Sequence, residues 1–388
     1  MATAPTFREV LESAREEVRE VSAPELKALL SGPHPPRLVD VRESDEYALG
    51  RLPGAISVPR SHLEMQIEGA AARDEELVLY CAGGVRSVLA ARALAELGYT
   101  KVASLAGGYH RWHDLNFPVE KPRTLGPAQR ERYRRHLVVP EIGEAGQGKL
   151  LDAKVLVMGL GGLGSPAALY LAAAGVGTLG LVDSDLVDLS NLQRQVIHTI
   201  DRAGLPKTES AEVAIAALNP DVRVVPFHER LTAANVLRIL EPFDLVLDGG
   251  DNFPTRYLLN DACVKLGKPN IHGSIFRFEG QVTTFVPGKG PCYRCLYPEA
   301  PPPEFAPSCA EAGVLGVLPG IVGLLQTNEA LKLLLGTGEA LVGRLLTFDA
   351  LGTRFAEMKL RRDPACPVCR DGAVIELTDS ADACASPR

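Results

Sequence analysis

Short apolar runs that stop at polar or glycine-rich turns recur along the chain, and most are followed by a stretch with helical spacing. Arg37-Leu-Val-Asp-Val-Arg42 and Glu76-Leu-Val-Leu-Tyr80 read as strands, and Ser87–Leu97 as a helix closing at Gly98. Ahead of them, Phe7–Arg19 has the pattern of a charged amphipathic helix, and Ser22-Ala-Pro-Glu25 before Leu26, Leu29 and Leu30 marks a capped helix start. Further on, Lys154–Met158, Leu179–Val182 and Phe243–Asp248 read as buried strands, with helices restarting at Ala167, Thr208 and Arg256. This alternation predicts an α/β protein of two doubly wound units with parallel sheets. Leu315–Leu335 is the most apolar stretch, but Gly316, Pro319, Gly320, Gly323 and Gln326-Thr-Asn-Glu329 interrupt it. It reads as a buried helix on the sheet and at a dimer interface, not a membrane span.

Composition narrows the class. A chain of 388 residues is long enough for two cores. The formal net charge of −7, with mixed signs and no long basic block, disfavours nucleic acid and anionic membranes as partners. The first residues lack a basic-then-apolar signal pattern, so a cytoplasmic protein is expected. Of the eight cysteines, four form two Cys-x-x-Cys pairs, a spacing that favours a metal over disulfides in such a compartment.

Chemistry first surfaces at Gly159, Gly161 and Gly164, a Gly-x-Gly-x-x-Gly turn between strand and helix, where backbone N–H groups and a helix start can meet a phosphate. Asp183, closing the next strand, is placed for ribose hydroxyls. Alone, these features also fit an NAD-dependent oxidoreductase. Hydride transfer, however, has no need of Ser190-Asn191, Arg194, Lys207 or Asp251-Asn252. Arg194 and Lys207 supply positive charge for a triphosphate, and Asp251, after an apolar strand, can hold Mg2+. Ala128–His136 is a very basic helix, ordinarily read as a solvated face, whose position ahead of the glycine strand keeps a phosphate role open.

In the first unit, Cys81 ends a strand and opens the glycine-rich loop Cys81-Ala82-Gly83-Gly84-Val85-Arg86, which leads into a helix. Backbone N–H groups, the helix start and Arg86 there favour a thiolate or persulfide anion. Arg42 and Arg51 read as structural or substrate-facing charges. From about Val21 to Val119 the chain resembles the single-domain rhodanese family, through Leu38-Val-Asp-Val-Arg42, Glu46-Tyr47, Gly50-Arg-Leu-Pro-Gly-Ala55, the Cys81–Arg86 loop, Leu105-Ala-Gly-Gly-Tyr109, Trp112 and Phe117-Pro-Val119. The resemblance implies that Cys81 carries a sulfane sulfur. Arg51 stands where such proteins usually have His.

From Gln129 to about Glu376 the chain resembles the adenylating domain of the ubiquitin-activating superfamily, most closely the bacterial enzymes that activate the sulfur carriers of molybdopterin and thiamine synthesis. The matching motifs are Arg132-Tyr-Arg-Arg-His136, Gly159–Gly164, Asp183, Asn191-Leu-Gln-Arg194, Pro206-Lys207, Asp248 with Asp251-Asn252, and the paired cysteines. This resemblance implies that Gly161-Gly162 cradles ATP phosphates, that Asp183 holds the ribose and that Asn191, Arg194 and Lys207 contact phosphates. It also implies that Asp251 ligates Mg2+ and that Arg135 reaches a neighbouring subunit's site, which makes the protein a homodimer. The expected organisation is an N-terminal helix (1–20), a rhodanese-like domain (21–120), a linker (121–128), an adenylyltransferase domain (129–376) and a disordered tail (377–388).

Cys292, Cys295, Cys366 and Cys369 have the spacing of a closed, structural zinc site with four thiolate ligands, with redox dithiols as the alternative. Cys309 lies in a proline-rich stretch expected to cross the nucleotide site; related enzymes use a cysteine there for a covalent link with the carrier, and a dispensable thiol is the competing reading. Cys263 reads as core and Cys384 as part of the tail. The expected activity is ATP-dependent adenylation of the C-terminal glycine of a small ubiquitin-like sulfur carrier, with Cys81 passing on sulfur from an upstream donor to give a thiocarboxylate. The alternatives are an adenylating enzyme or an oxidoreductase in which the first domain is only a sensor or binding module.

Overall fold

The computed structural model describes residues 4–121, 123–299 and 313–379, so Cys309 and Cys384 lie outside the described residues. The chain divides into two compact units between Thr124 and Leu125, inside the stretch expected as a linker.

The first unit is a five-stranded, all-parallel sheet in the order β1-β5-β4-β2-β3, built from β1 (Arg19–Val21), β2 (Arg37–Asp40), β3 (Ile56–Ser57), β4 (Leu77–Tyr80) and β5 (Val102–Leu105). Alternate strand residues serve opposite faces. Val39, Leu77 and Leu79 pack with α1 (Phe7–Glu17), α4 (Leu63–Ala70) and α5 (Val85–Glu96), whereas Leu38, Val78 and Tyr80 pack with α2 (Ala23–Leu30) and α6 (Gly108–Asp114). A short helix, α3 (Ser44–Ala48), follows β2. The N-terminal helix, expected as a separate element ending at residue 20, belongs to this body. Thr6 and Glu9 cap it reciprocally, Ala14 is buried in the same core, and β1 pairs with β5 from Arg19 onward.

The second unit holds an eight-stranded mixed sheet, β13-β12-β11-β10-β9-β6-β7-β8. Its parallel part comprises β6 (Lys154–Met158), β7 (Thr178–Val182), β8 (Arg223–Phe227), β9 (Leu245–Asp248) and β10 (Asn270–Phe276). Both faces are covered. Val155, Val157, Leu179, Leu181, Leu245 and Leu247 point to α10 (Gly164–Ala174), α11 (Lys207–Leu218) and α15 (Val317–Leu335); Leu156, Val182 and Val246 point to α12 (Val236–Leu240) and α13 (Phe253–Leu266). Burying each such side chain contributes roughly 1.5–3 kcal/mol, so this double-sided layer dominates the unit's stability.

The sequence pattern predicts a strand over Arg344–Asp349 but neither β10 nor β11 (Glu279–Phe285), nor the antiparallel extension that these form with β12 (Arg344–Asp349) and β13 (Arg354–Lys359). Helix α15 lies closely against that extension: a Cβ on Gly280 would stand 2.5 Å from Val322. The basic helix expected over 128–136 is broken at Tyr133 into α7 (Pro127–Arg132) and α8 (Arg134–Leu137), followed by α9 (Gly143–Asp152). Tyr133 turns inward there, and its hydroxyl accepts from Asn219 at 2.8 Å. At the other end of the chain, Leu377 packs on the α12–α13 core and Asp379 accepts from the Ala233 N–H, so the stretch expected as a tail begins docked. Among the described residues, no helix is long and apolar enough to cross a membrane.

Candidate active site

In the second unit the strand order reverses direction about β6, which has β9 on one side and β7 on the other, and the crevice at the strands' C-terminal ends is where such sheets bind ligands. The glycine turn occupies that crevice. Gly159, at φ +82°, abuts the next turn so closely that a Cβ would lie 2.8 Å from the Gly249 oxygen. At Gly164 a Cβ would lie 1.8 Å from the Gly159 oxygen, so α10 can begin directly over the turn only with glycine there. Gly162 rests on Pro319 of α15, while Gly161 faces open space bounded by the Gln195 amide. Gln195 Oε1 is buried without a protein partner. A glycine turn that faces open space at a helix start can offer its backbone N–H groups to a phosphate.

Acidic and basic residues expected around this turn converge on it. Asp183 is 8 % exposed; its Oδ2 accepts from Leu160 N–H at 2.7 Å and its Oδ1 from Asp185 N–H at 2.8 Å. Burial raises its pKa from the usual value, and the Lys207 ammonium acts against that. Lys207 begins α11, is 4 % exposed and places Nζ 2.8 Å from Asp185 and 3.9 Å from Asp183. Arg194 donates to Asn191 Oδ1 at 2.7 Å, and Ser190 is turned onto Asp188. Asp251 is exposed past the end of β9; Asn252 caps α13 through Thr255 N–H and stands 3.3 Å from Asp251. Arg135 is exposed on α8, and among the described residues no hydrogen bond or ion pair joins it to the glycine turn.

Two residues not singled out in the sequence hold this geometry. Arg256 donates from α13 to the Gly250 oxygen at 2.9 Å, pinning the Asp251 turn. His198, 5 % exposed, bridges the Leu160 oxygen at 3.1 Å and the Ser210 hydroxyl at 2.9 Å. A carbonyl only accepts, so Nε2 carries the proton and Nδ1 accepts from Ser210. Burial, joined by Lys207 and Arg202, pushes this imidazole down to about 4. Below its ordinary pKa of about 6.5 the unfolded chain takes up a proton that the folded chain refuses, so stability is lost as pH falls from about 6.5 toward 4. In denaturant titrations across that window, His198→Gln should show a shallower pH slope than the parent; equal slopes would refute the assignment.

In the first unit, Cys81 follows β4 and its Sγ accepts from Gly84 N–H at 3.1 Å. The Ser87 hydroxyl is 3.5 Å from the same sulfur, and Ser104 donates to Ser87 at 2.9 Å. Gly84 adopts φ +93°, which turns its N–H inward. The Gly107-Gly108 turn backs the loop: Tyr109 N–H donates to the Cys81 oxygen at 2.8 Å, and a Cβ on Gly108 would be 2.2 Å from it. Arg86 makes a two-pronged pair with Glu46 at 2.7 and 2.8 Å, and these hydrogen bonds raise its pKa. Arg42 proves structural, buried against Asp40 at 2.6 Å and the Gly50 oxygen at 2.6 Å. Arg51 pairs with Glu120 at 3.0 Å.

Cys292, Cys295, Cys366 and Cys369 come together with all four sulfurs within 4.8 Å of one another. Observed separations of 3.4, 3.6 and 4.0 Å bracket the value of about 3.8 Å set by a tetrahedral ion with bonds of about 2.3 Å to sulfur. Burial pushes the Cys292 thiol up, and burial with hydrogen bonds to Cys295 and Cys366 pushes the Cys369 thiol up to about 11, whereas burial at Cys366 is outweighed by hydrogen bonds that lower its thiol. The group fits a metal ion. Cys292 caps a one-turn helix, α14 (Tyr293–Leu296), where only a turn was expected. Cys263 is buried in α13, and burial raises its thiol pKa as expected of a core residue.

Comparison with known proteins places both units. The rhodanese-like domain model matches residues 22–115, and the ThiF family model matches residues 133–368. The chain is 54% identical over 246 residues to a sulfur carrier protein adenylyltransferase of Thermus thermophilus, covering 62% of this chain and 91% of that protein. It is 49% identical over 270 residues to the probable adenylyltransferase/sulfurtransferase MoeZ of Mycobacterium tuberculosis, covering 69% of this chain and 68% of that one. Among solved structures, E. coli MccB with a MccA peptide aligns with a TM-score of 0.56 at 23% identity, over 61% of this chain and 74% of that one, a likeness of fold. With a family match spanning more than half its length, and the glycine turn, Lys207 and four-cysteine group inside that span, the chain belongs to the ThiF family, preceded by a rhodanese-like domain.

Proposed function

We propose that the protein adenylates the C-terminal glycine of a small ubiquitin-like sulfur carrier and then replaces a carboxylate oxygen with sulfur delivered by Cys81. The observation that carries this reading is the presence in one chain of a phosphate cradle ringed by Asp183, Arg194 and Lys207 and of a cysteine whose sulfur is held by a loop N–H. Relatives named as carrier adenylyltransferase and as adenylyltransferase/sulfurtransferase support it.

The glycine turn holds ATP, and Asp183 keeps acceptor capacity for ribose hydroxyls beyond its two backbone contacts. The carrier carboxylate attacks the α-phosphorus, the bond to the bridging oxygen breaks and pyrophosphate leaves, giving an acyl adenylate. Lys207 and Arg194 swing from Asp185 and Asn191 onto phosphate oxygens, where they meet the charge that develops during displacement. Asp251 would hold magnesium, whose charge would screen the phosphates. Arg135, reaching from the partner in a homodimer, completes the cationic ring. The terminal sulfur of the Cys81 persulfide, loaded by an upstream donor, attacks the activated carbonyl and AMP departs. A second thiol, Cys309 or an external one, then attacks the Cys81 sulfur of the acyl disulfide, releasing the thiocarboxylate and leaving a disulfide. The four cysteines hold a structural zinc, since four thiolates leave no open coordination position. Having both chemistries on one chain gives the persulfide a high effective concentration near its acceptor.

Mass spectrometry provides the test. Incubated with MgATP and thiosulfate, a glycine-terminated carrier should gain the mass difference between sulfur and oxygen. No carrier-dependent ATP–pyrophosphate exchange and no mass change for any such carrier would overturn the reading.

A further inference from the structure

The buried pair Asp248–His272 has no task in the chemistry above. Both residues are 1 % exposed, and His272 Nδ1 lies 2.7 Å from Asp248 Oδ2. Asp248 Oδ1 accepts from Gly250 N–H at 2.9 Å, one residue before Asp251. The opposite end of the relay is equally defined. The His272 ring meets the Tyr293 ring edge-on, centroids 5.0 Å apart at 64°, and Tyr293 sits between Cys292 and Cys295. Tyr293 N–H in turn donates to Asn260 of α13 at 2.8 Å.

We propose that His272 is a positioning residue for the magnesium-binding turn, tying the Asp251 turn to Tyr293 and hence to the four-cysteine group. The inference rests on Asp251 as the magnesium ligand. A buried carboxylate is tolerated only when its oxygens have donors. Asp248 has one donor on each oxygen, and the Oδ2 donor is His272. Without it, Oδ2 is left buried with no donor, and the cost falls on the same carboxylate that holds the Gly250 N–H of the Asp251 turn. Burial pushes the His272 imidazole below its usual range, so the ring is neutral and its Nδ1–H donates. Tyr293, edge-on, and Phe285, stacked at 6.2 Å, together fix the ring plane, and with it the direction of that N–H. A cation held by Cys292 and Cys295 would fix Tyr293.

The test uses the full chain with a non-hydrolysable ATP analogue, reading thermal stabilisation as Mg2+ is titrated. His272→Leu is expected to raise the Mg2+ midpoint roughly tenfold, the cost typical of losing a group that orients a ligand, while analogue binding without Mg2+ is unchanged. His272→Asn, which keeps a donor near the Nδ1 position, should recover most of the loss. Tyr293→Leu should shift the midpoint in the same direction and add nothing on top of His272→Leu, because the link is already broken. A midpoint unmoved in either single variant, or effects of the two that multiply, would overturn the inference. Tyr293→Leu keeps the test decisive if His272→Leu does not fold. A parent protein with no Mg2+-dependent stabilisation in the presence of analogue would instead remove the adenylation reading beneath it.

Discussion

Cys81→Ala is expected to abolish thiocarboxylate formation while leaving carrier-dependent ATP–pyrophosphate exchange unchanged. Cys81 is the only cysteine ahead of Cys263, so no other thiol in the first unit can take over the sulfur. Its environment is also specialised. Sγ accepts from Gly84 N–H at the start of α5, an arrangement that stabilises an anion through a fixed dipole. Serine would fit the loop but could not carry a sulfane sulfur. The exchange reaction, in contrast, uses only groups of the second unit. Measured side by side, exchange and carrier mass therefore separate the two chemistries; loss of both in the variant would place Cys81 in the adenylation step and falsify the division.

Lys207→Met should do the converse, lowering carrier-dependent exchange by about 10²–10³-fold, the range for removing one pre-set electrostatic partner of a transition state. Sulfur transfer from thiosulfate to cyanide should persist. Two effects combine at this position. The ammonium is buried beside Asp183 and Asp185, so its charge acts in a medium poorer than water in screening. It also opposes the rise in the Asp183 pKa caused by burial, so its loss favours the protonated form of the carboxyl proposed to hold the ribose. The second effect gives a separable signature: the variant's ATP affinity should improve as pH rises and Asp183 regains its charge. A pH-independent loss confined to kcat would leave only the first effect standing.

Much of this site was legible because its signals are local. The glycine turn, the Cys81 loop and the Cys-x-x-Cys pairs carry their chemistry within a few consecutive residues, and the strand ends bring Asp183 and Asp251 to one edge. The remainder depends on contacts far apart in sequence. His198 reaches Leu160 across 38 positions, and His272 reaches Asp248 across 24, so no window of sequence contains either pair. Ser87 and Ser104 read as ordinary helix and strand residues until the fold stacks them behind Cys81. The β10–β11 hairpin is hidden because His272, Gly273 and Ser274 break the apolar alternation, and they do so where Asp248 and α15 demand polar or small residues. Tyr133 conceals a helix break inside a run of arginines, since its inward turn is set by Asn219 and Gly175.

The four-cysteine group has one more consequence, and it concerns chain topology. Its two halves are separated by 74 positions, so an ion joining them converts the intervening segment into a closed ring that contains α15. By the loop-entropy relation for a covalent cross-link, closing a ring of that size removes about 4 kcal/mol of freedom from the unfolded chain. With both ends of the ring held at one point by such an ion, a shift inside it could not carry those ends apart; inside the ring lies α15, which packs on Gly162 and on the antiparallel strands.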